Sequence, residues 1–312
     1  MRKTIEEPSI KLKSSINRKD YELIHNLETQ CAQNDSITLK LELDYKLSDA
    51  ENSTSKTGIS DINEFLYFDG GELIGYMGIC CFGGMSQPFE ITGMVHPLYR
   101  RQGIFSKLYE LVMVECRRRN AGCILGLCDK KSVSGQKFLE KGGAVYQYSE
   151  FEMYLNDEIY EAMEKQAPSG ITFRKASNAD ALEIARQNSI YFGDDPVEEN
   201  EDTLNGDILL PEEEEKRGMT IYIAEKDDKI IGKVNLQMSE GGTGGIYGLG
   251  VLPEERKKGF GRAVLTHAVE KLKDANAAKI MLQVAAENAT ALSLYKSCGF
   301  QETSVMDYFE LK

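Results

Sequence analysis

Residues 249–262 read Leu-Gly-Val-Leu-Pro-Glu-Glu-Arg-Lys-Lys-Gly-Phe-Gly-Arg, and they set the architecture of the second half of the chain. An apolar strand ends at a proline, a basic loop with two glycines follows, and a helix begins. A loop of this kind turns successive backbone N–H groups toward one point, and the helix dipole adds positive charge there. Glycine lets a ligand approach the backbone without a Cβ in the way. The stretch therefore predicts a strand–loop–helix unit that cradles a diphosphate.

Two other phosphate-binding motifs do not fit this loop. A Walker loop needs G-x-x-x-x-G-K-[ST], and a dinucleotide fingerprint needs a third glycine at the position of Val264. A helix start with solvated charges is the other interpretation of a single loop of this type. The loop occurs twice in the chain, which favours the functional interpretation.

The repetition has a shift of 156 residues. Val95-His96-Pro97 matches Val251-Leu252-Pro253, and Arg100-Arg101-Gln102-Gly103 matches Arg256-Lys257-Lys258-Gly259. Both halves have the pattern of antiparallel strands followed by two strand–helix units, which predicts a mixed sheet. We therefore expect an α/β protein with two consecutive domains, each a twisted mixed sheet flanked by helices. The predicted parts are an N-terminal domain at 1–158, a linker at 159–169 and a C-terminal domain at 170–312.

Composition narrows the class of partner. The 312 residues carry a net charge of −13, which argues against a nucleic-acid surface or an anionic membrane as partner. No apolar run approaches the roughly 18 residues of a transmembrane helix, and residues 1–16 lack the pattern of a signal peptide. Seven cysteines without a C-x-x-C pair, and three histidines, predict neither disulfides nor a metal site. A cytoplasmic location is expected.

Two motifs in the second half resemble those of a known family. Arg256–Gly261 resembles the [Q/R]-x-x-G-x-[G/A] signature of the GNAT acetyltransferase superfamily. Asn288–Phe300, which reads NATALSLYKSCGF, is similar to the family's N-x-x-A-x-x-L-Y-x-x-x-G-F helix. The motifs follow in the family's order, and the chain resembles a tandem GNAT protein. The resemblance is better over 171–312 than over 10–155.

This resemblance implies an acetyl-CoA-dependent N-acetyltransferase that moves an acetyl group directly to a primary amine in a ternary complex. Acetyl-CoA, the acetyl donor, would lie in a gap between Gly245–Val251 and Lys279–Val284, and no metal is implied. The Tyr295 hydroxyl would face the thioester sulfur as general acid. The implied donor-binding residues are Leu249, Val251, Arg256, Lys257, Lys258, Gly259, Phe260, Gly261, Arg262 and Asn288.

The general base is not evident from the sequence. Family members often carry a carboxylate on the central strand, but residues 246–249 contain none. Tyr247, a water chain or an acidic residue from another element could serve, although Tyr247 also fits a half-buried strand aromatic. Cys298 is interpreted as a structural cysteine.

The first half departs from the family pattern. Phe105 stands where Gly or Ala is usual, Ser132 aligns with Asn288, and Leu139 aligns with Tyr295. Leucine cannot donate a proton, so Glu90 would be a base without a partner acid. We therefore expect a degenerate N-terminal domain and catalysis in the C-terminal one. Activity in the N-terminal domain, or a non-catalytic acyl-CoA-binding or scaffold protein, are the alternatives.

An acidic segment bears on the acceptor. Residues 189–215 contain eleven carboxylates and no Lys or Arg. An acidic lining would attract a cationic amine, such as a polyamine, an aminoglycoside-like amine, or a peptide N-terminus or lysine. A solvated charge run is the other interpretation.

Overall fold

A computed structural model describes residues 2–52, 61–81, 88–163, 168–192 and 210–312. Its contacts divide the chain into two compact units. Unit 1 comprises Met1–Glu150 and Ser304–Lys312, and unit 2 comprises Phe151–Thr303. The predicted linker at 159–169 overlaps a short helix, Asp157–Glu161, and its residues 164–167 lie outside the described ranges. The division therefore does not follow chain order, because the end of the chain belongs to unit 1.

The elements are numbered in chain order. The strands are β1 (Pro8–Lys13), β2 (Glu64–Asp69), β3 (Glu72–Cys80), β4 (Phe89–Val95), β5 (Ile124–Asp129), β6 (Val145–Leu155), β7 (Ile171–Lys175), β8 (Met219–Lys226), β9 (Lys229–Met238), β10 (Thr243–Val251), β11 (Lys279–Ala285) and β12 (Phe300–Glu310). The helices are α1 (Arg18–Asp35), α2 (Leu43–Asn52), α3 (Ile104–Arg118), α4 (Val133–Lys141), α5 (Asp157–Glu161), α6 (Ala181–Phe192), α7 (Pro211–Lys216), α8 (Phe260–Asp274) and α9 (Ala289–Ser297).

Unit 1 contains a mixed sheet in the order β1-β2-β3-β4-β5-β12, followed by residues 145–150 of β6. Strands β4 and β5 are parallel, while β12 runs antiparallel to β5 with Met306 opposite Asp129. One core lies between the sheet and the apolar faces of α3 and α4, and a second covers the other face under α1 and α2. The last strand of the chain thus completes the sheet of unit 1.

Unit 2 contains a mixed sheet in the order β6-β11-β10-β9-β8-β7, to which β6 contributes residues 151–155. Strands β10 and β11 are parallel, and β7 through β10 pair antiparallel. The main core packs α8 and α9 on one face, with Val264, Leu265 and Ala268 fully buried. The predicted α/β class, with mixed sheets flanked by helices, is confirmed in both units.

Candidate active site

The basic loop of unit 2 joins β10 to α8 through two left-handed residues. Lys257 has φ 61°, and Gly259, which precedes the first residue of α8, has φ 88° and ψ −7°. The loop of unit 1 has nearly the same backbone, with Arg101 at φ 67° and Gly103 at φ 84° and ψ −4°. Glycine adopts this conformation without the steric cost that a Cβ brings. The repeated glycine is therefore a conformational requirement of the loop.

Six successive backbone N–H groups at this loop are unpaired among the described residues. Within the described residues, the backbone N–H groups of Lys257 to Arg262 donate to no acceptor. The first turn of any helix leaves such donors unpaired, and here the preceding loop adds more of them. The positive end of the α8 dipole lies at the same place. The arrangement has the donors and the charge that a diphosphate requires.

Most basic side chains of the loop are engaged in bracing it. Arg256 donates from Nε to the carbonyl of Val251 at 3.0 Å, and Arg100 makes the equivalent bond to Val95 in unit 1 at 3.0 Å. Lys258 pairs with Glu255 at 3.1 Å. Lys257 is exposed and forms no ion pair with the described residues. The loop therefore offers backbone donors and one uncommitted ammonium group to a ligand.

The gap expected beside β10 follows from the pairing of the strands. Parallel pairing of β10 with β11 ends at Ile246 opposite Leu282, although β10 continues to Val251. The register with β9 also shifts between Tyr247 and Gly250. The segment that contains Leu249 thus has a free edge toward β11, which an extended ligand could pair with.

Tyr295 lies on α9, where its ring is 8% exposed and makes an edge contact with Phe300. Burial raises the pKa of Tyr295 to about 12, so the phenol keeps its proton at neutral pH. Its hydroxyl donates to no group among the described residues. Asn288 caps α9, accepting from the Ala291 N–H at 3.0 Å. The side chain predicted to contact the donor thus also fixes the start of the helix that carries Tyr295.

The first turn of α8 contacts α9 directly. A Cβ added at Gly261 would lie 3.3 Å from Leu294, so glycine permits close packing there. Arg262 donates to the Ser297 carbonyl at 3.2 Å and to its hydroxyl at 2.9 Å. Phe260 is buried in the core below. The structure therefore brings the loop motif and the tyrosine motif together on adjoining helices.

Two further residues considered in the sequence analysis, Cys298 and Tyr247, pack against their neighbours. Cys298 is buried, and burial raises the pKa of its thiol, as expected of a structural cysteine. The Tyr247 ring lies over Gly245, since a Cβ there would come within 2.4 Å of the ring. Neither contact identifies a general base.

Sequence reasoning missed two residues on the other face of this sheet. Lys233 is 1% exposed in the middle of β9, and the Tyr191 ring covers Gly250, where an added Cβ would come within 2.2 Å. The signal for Lys233 was available, because a lysine at an inward position of an apolar strand breaks the usual alternation.

Unit 1 keeps the loop and the gap but not the phenol. Pairing of β4 with β5 ends at Ile91 opposite Gly126, although β4 continues to Val95. At the position equivalent to Tyr295, Leu139 is buried in the core. Phe105 packs against Phe138, with 4.7 Å between ring centroids. Its ring is therefore part of the interface between α3 and α4.

Glu90 of unit 1 is largely buried beside the gap. Its Oε2 atom accepts no hydrogen bond and lies 3.9 Å from the Lys40 ammonium. Burial raises the pKa of Glu90. The neighbouring space is a cavity whose lining includes Lys40, Lys46, Tyr76 and Glu90. At its wall, Lys46 and the Tyr76 hydroxyl both donate to Glu64.

The described residues contain no group of three or more His, Cys, Asp or Glu side chains that could hold a metal ion. Among their helices, none has the length and apolar character needed to cross a membrane.

Comparison with known proteins agrees with this geometry. Two mixed sheets with the same loop and gap define a tandem acyltransferase architecture, and the profile of the acetyltransferase (GNAT) family matches residues 22–143 and 182–300. The chain therefore belongs to the GNAT family, and it is an acyltransferase. A tandem GNAT protein from the clavulanic acid biosynthesis pathway has a similar structure, with a TM-score of 0.73 at 13% identity, covering 97% of this chain and 98% of that one. A GCN5-related N-acetyltransferase from Sphaerobacter thermophilus gives a TM-score of 0.70 at 19% identity, over 96% and 95% of the two chains.

Two relatives are similar in sequence. Mycothiol acetyltransferase from Kocuria rhizophila is 25% identical over 249 residues, which cover 76% of this chain and 80% of the relative. The [ribosomal protein bS18]-alanine N-acetyltransferase of Escherichia coli K12 is 37% identical over 60 residues, which cover 19% of this chain and 40% of the relative. The first similarity extends over most of both chains, and the second is confined to a short segment.

Proposed function

We propose that unit 2 transfers an acetyl group from acetyl-CoA to a primary amine, by direct attack within a ternary complex. One observation carries the proposal. Six unpaired N–H groups at the start of α8 adjoin α9, whose Tyr295 phenol is buried, protonated and without a partner among the described residues. These are the two ends of a site for a molecule with a diphosphate at one end and a thioester at the other.

Acetyl-CoA would supply an activated acyl group whose leaving thiol needs little assistance. The N–H groups of 257–262 would bind its diphosphate, with the Lys257 ammonium adding charge. The free edge of β10, including the backbone of Leu249 and Val251, would pair with the extended arm of the donor. Asn288, at the start of α9, would contact the donor from the far side of the gap. The chain thus contributes mainly orientation, which is a large part of catalysis in a bimolecular reaction.

Tyr295 would donate its proton to the departing sulfur. Because burial keeps the phenol neutral well above pH 7, the donor form is present throughout the working range. No covalent enzyme intermediate is needed, since the amine can attack the thioester directly. Unit 1, with Leu139 in place of the phenol, would bind donor without turnover or serve as a scaffold.

We propose a small-molecule amine as the acceptor. The mycothiol acetyltransferase similarity extends over three quarters of the chain and supports this class, whereas the protein-directed relative matches only 60 residues.

The acidic segment gives less support to a cationic acceptor than its composition suggests. All four glutamates of α7 have partners: Glu212 with Asn178, Glu213 with Lys216, Glu214 with Arg217 and Glu215 with Lys175. The other carboxylates of that segment, from Asp194 to Asp207, lie outside the described residues.

The test is thiol release from acetyl-CoA with a panel of sugar amines, polyamines and peptide N-termini. We expect turnover with at least one small amine, and a fall of about 10²- to 10⁴-fold in kcat for Tyr295→Phe. Leu139→Ala at the equivalent site of unit 1 is the control, and it should lower stability while kcat stays near the parent value. Equal kcat for Tyr295→Phe and the parent would overturn the assignment. Loss of turnover only in the Leu139 variant would place the activity in unit 1.

A further inference from the structure

Lys233 is a buried lysine without an acidic partner. Its ammonium nitrogen lies 3.1 Å from the Gly248 carbonyl and 3.4 Å from the Asn235 side-chain oxygen. No carboxylate among the described residues pairs with it. Its nitrogen lies 5.9 Å from the Phe192 ring centroid. The surroundings thus provide acceptors for its protons but no opposite charge.

The buried lysines of unit 1 show what a structural lysine looks like in this chain. Lys46 lies 3.1 Å from Glu64, and Lys40 lies 3.3 Å from Glu150. An unpaired buried ammonium is costly, so a lysine retained in such a place is biased toward its neutral form. For Lys233, burial alone lowers the pKa to about 8. The neutral form of the amine, which is a proton acceptor, is therefore well populated only at and above about pH 8.

The position of Lys233 places that acceptor at the part of β10 that is proposed to pair with the donor. Gly248 belongs to the irregular part of β10, between Tyr247 and Gly250, just after the pairing with β11 ends. An added Cβ at Gly248 would lie 3.0 Å from the lysine nitrogen. The absence of a side chain there therefore lets the amine reach this edge of β10.

Every described element around Lys233 leaves it without a facing charge. Ile223 of β8 is its apolar cross-strand partner, and β10 presents the Gly248 backbone. On α6, the Tyr191 hydroxyl donates to Gln187 at 2.9 Å, and burial raises the pKa of that phenol. Also on α6, Arg186 and Glu183 form an ion pair with each other at 2.7 Å. Burial is thus what lowers the pKa of Lys233, with no charged neighbour adding to the shift or opposing it.

We infer that the Lys233 amine is the general base that takes a proton from the acceptor amine in unit 2. The inference rests on the proposed function and supplies the base that its sequence motifs leave unassigned. It also accounts for the lack of a carboxylate on residues 246–249.

Neutral Lys233 takes one proton from the acceptor ammonium, and its own ammonium form is held by the Gly248 carbonyl and Asn235. The freed amine forms a C–N bond to the acyl carbon, the C–S bond breaks, and Tyr295 gives its proton to sulfur. The second proton lost by nitrogen restores the Tyr295 phenol, and Lys233 releases its proton to solvent. One proton is released per turnover.

The decisive variants are Lys233→Met and Lys233→Arg. Methionine keeps the length of the apolar stem and removes a buried amine, so the fold should be retained. Arginine keeps a donor for the Gly248 carbonyl but cannot act as a base near neutral pH. We expect kcat to fall about 10²- to 10⁴-fold in both, with donor affinity by calorimetry close to that of the parent. Lys229→Gln, on an exposed residue of the same strand, is the matched control and should leave kcat unchanged.

The pH profile separates a base from a structural brace. In the parent, kcat should rise with pH through a limb near pH 8, because the base works only when deprotonated. That limb should stay in place for two acceptor amines of different pKa and should vanish in Lys233→Met. Activity restored by Lys233→Arg, or a limb that persists in Lys233→Met, would overturn the inference while leaving the proposed function intact.

A measurement without turnover keeps the two hypotheses distinct. The Lys233 amine can be titrated by ¹⁵N-lysine NMR in the full chain, with its signal assigned from Lys233→Met. We expect a midpoint near pH 8, because burial lowers the pKa of this amine, and a midpoint at the ordinary lysine value of about 10.4 would refute the inference. If Lys233 titrates low but no amine in the panel releases thiol, the proposed function fails and this inference fails with it.

Discussion

The Arg262 guanidinium spans from the first turn of α8 to the last residue of α9, donating to the Ser297 carbonyl at 3.2 Å and to its hydroxyl at 2.9 Å. The same guanidinium contacts the Cys298 sulfur at 3.5 Å. A cation at the C-terminal end of a helix also interacts favourably with the helix dipole. Arg262 therefore links the proposed diphosphate cradle to the helix that holds Tyr295.

Replacing this link should affect the chemical step more than donor binding. Arg262→Ala leaves the backbone N–H groups of the cradle intact but frees the end of α9, so we expect a loss of about 1–2 kcal/mol in stability and a clear fall in kcat. Steady-state kinetics would show kcat falling with little change in the donor KM. Arg262→Lys, which keeps one charge without the forked geometry, should be intermediate. A large rise in donor KM at constant kcat would instead indicate that the guanidinium binds the donor itself.

The two copies of the loop allow a matched test of which unit binds the productive donor. Lys257 and Arg101 occupy equivalent exposed, left-handed positions. Lys257→Glu should raise the donor KM about 10- to 100-fold, since a charge-assisted contact is lost and a repulsive one introduced. Arg101→Glu should leave the KM unchanged, although calorimetry would register any second donor molecule that unit 1 binds. The opposite pattern of KM values would assign turnover to unit 1.

Asp180 predicts an acid-dependent stability for unit 2. It accepts a bidentate pair from Arg174, at 2.7 and 2.8 Å, and caps the segment before α6 through the Ser177 N–H. These contacts, those of Arg174 first, lower the pKa of Asp180 to about 2. Because the folded pKa is depressed, the contribution of up to about 2 kcal/mol is present above pH 4 and disappears as the pH falls toward 2.

Thermal unfolding of Asp180→Asn tests this sign. The Tm difference between parent and variant should be largest near neutral pH and should shrink toward zero in acid. The comparison with the parent at each pH cancels the general effect of acid on the fold. A Tm difference that stays constant down to pH 2 would contradict the assignment.

Residues 304–312 should be required for the folding of unit 1, although they lie far along the chain from its other residues. Removing residues 304–312 deletes the antiparallel partner of β5 and the buried side chains of Met306, Tyr308 and Leu311. Each such side chain contributes roughly 1.5–3 kcal/mol, so we expect unit 1 to lose cooperative unfolding. Calorimetry of the truncated chain would show this loss, whereas removal of Lys312 alone should have no effect. A truncated protein that unfolds like the parent would show that β12 is dispensable.

The loop was predictable because its signals are local. Glycine at 103 and at 259 marks a left-handed residue, and the change from an apolar strand to an amphipathic helix marks the boundary on either side. The structure agrees, since α8 begins at Phe260, directly after Gly259.

Tertiary structure decided the features that depend on distant partners. The sequence pattern of residues 304–312 does not reveal that they complete the sheet of unit 1. Edge pairing is selected by the available neighbour and not by local propensity. The direction of the Phe105 ring and the partners of the α7 glutamates also depend on side chains far along the chain or on another helix. Lys233 is the clearest case. Lysine is usually a surface residue. Only the packing of β8, β10 and α6 around this one removes the water and the counter-charge that would otherwise keep it an ordinary ammonium.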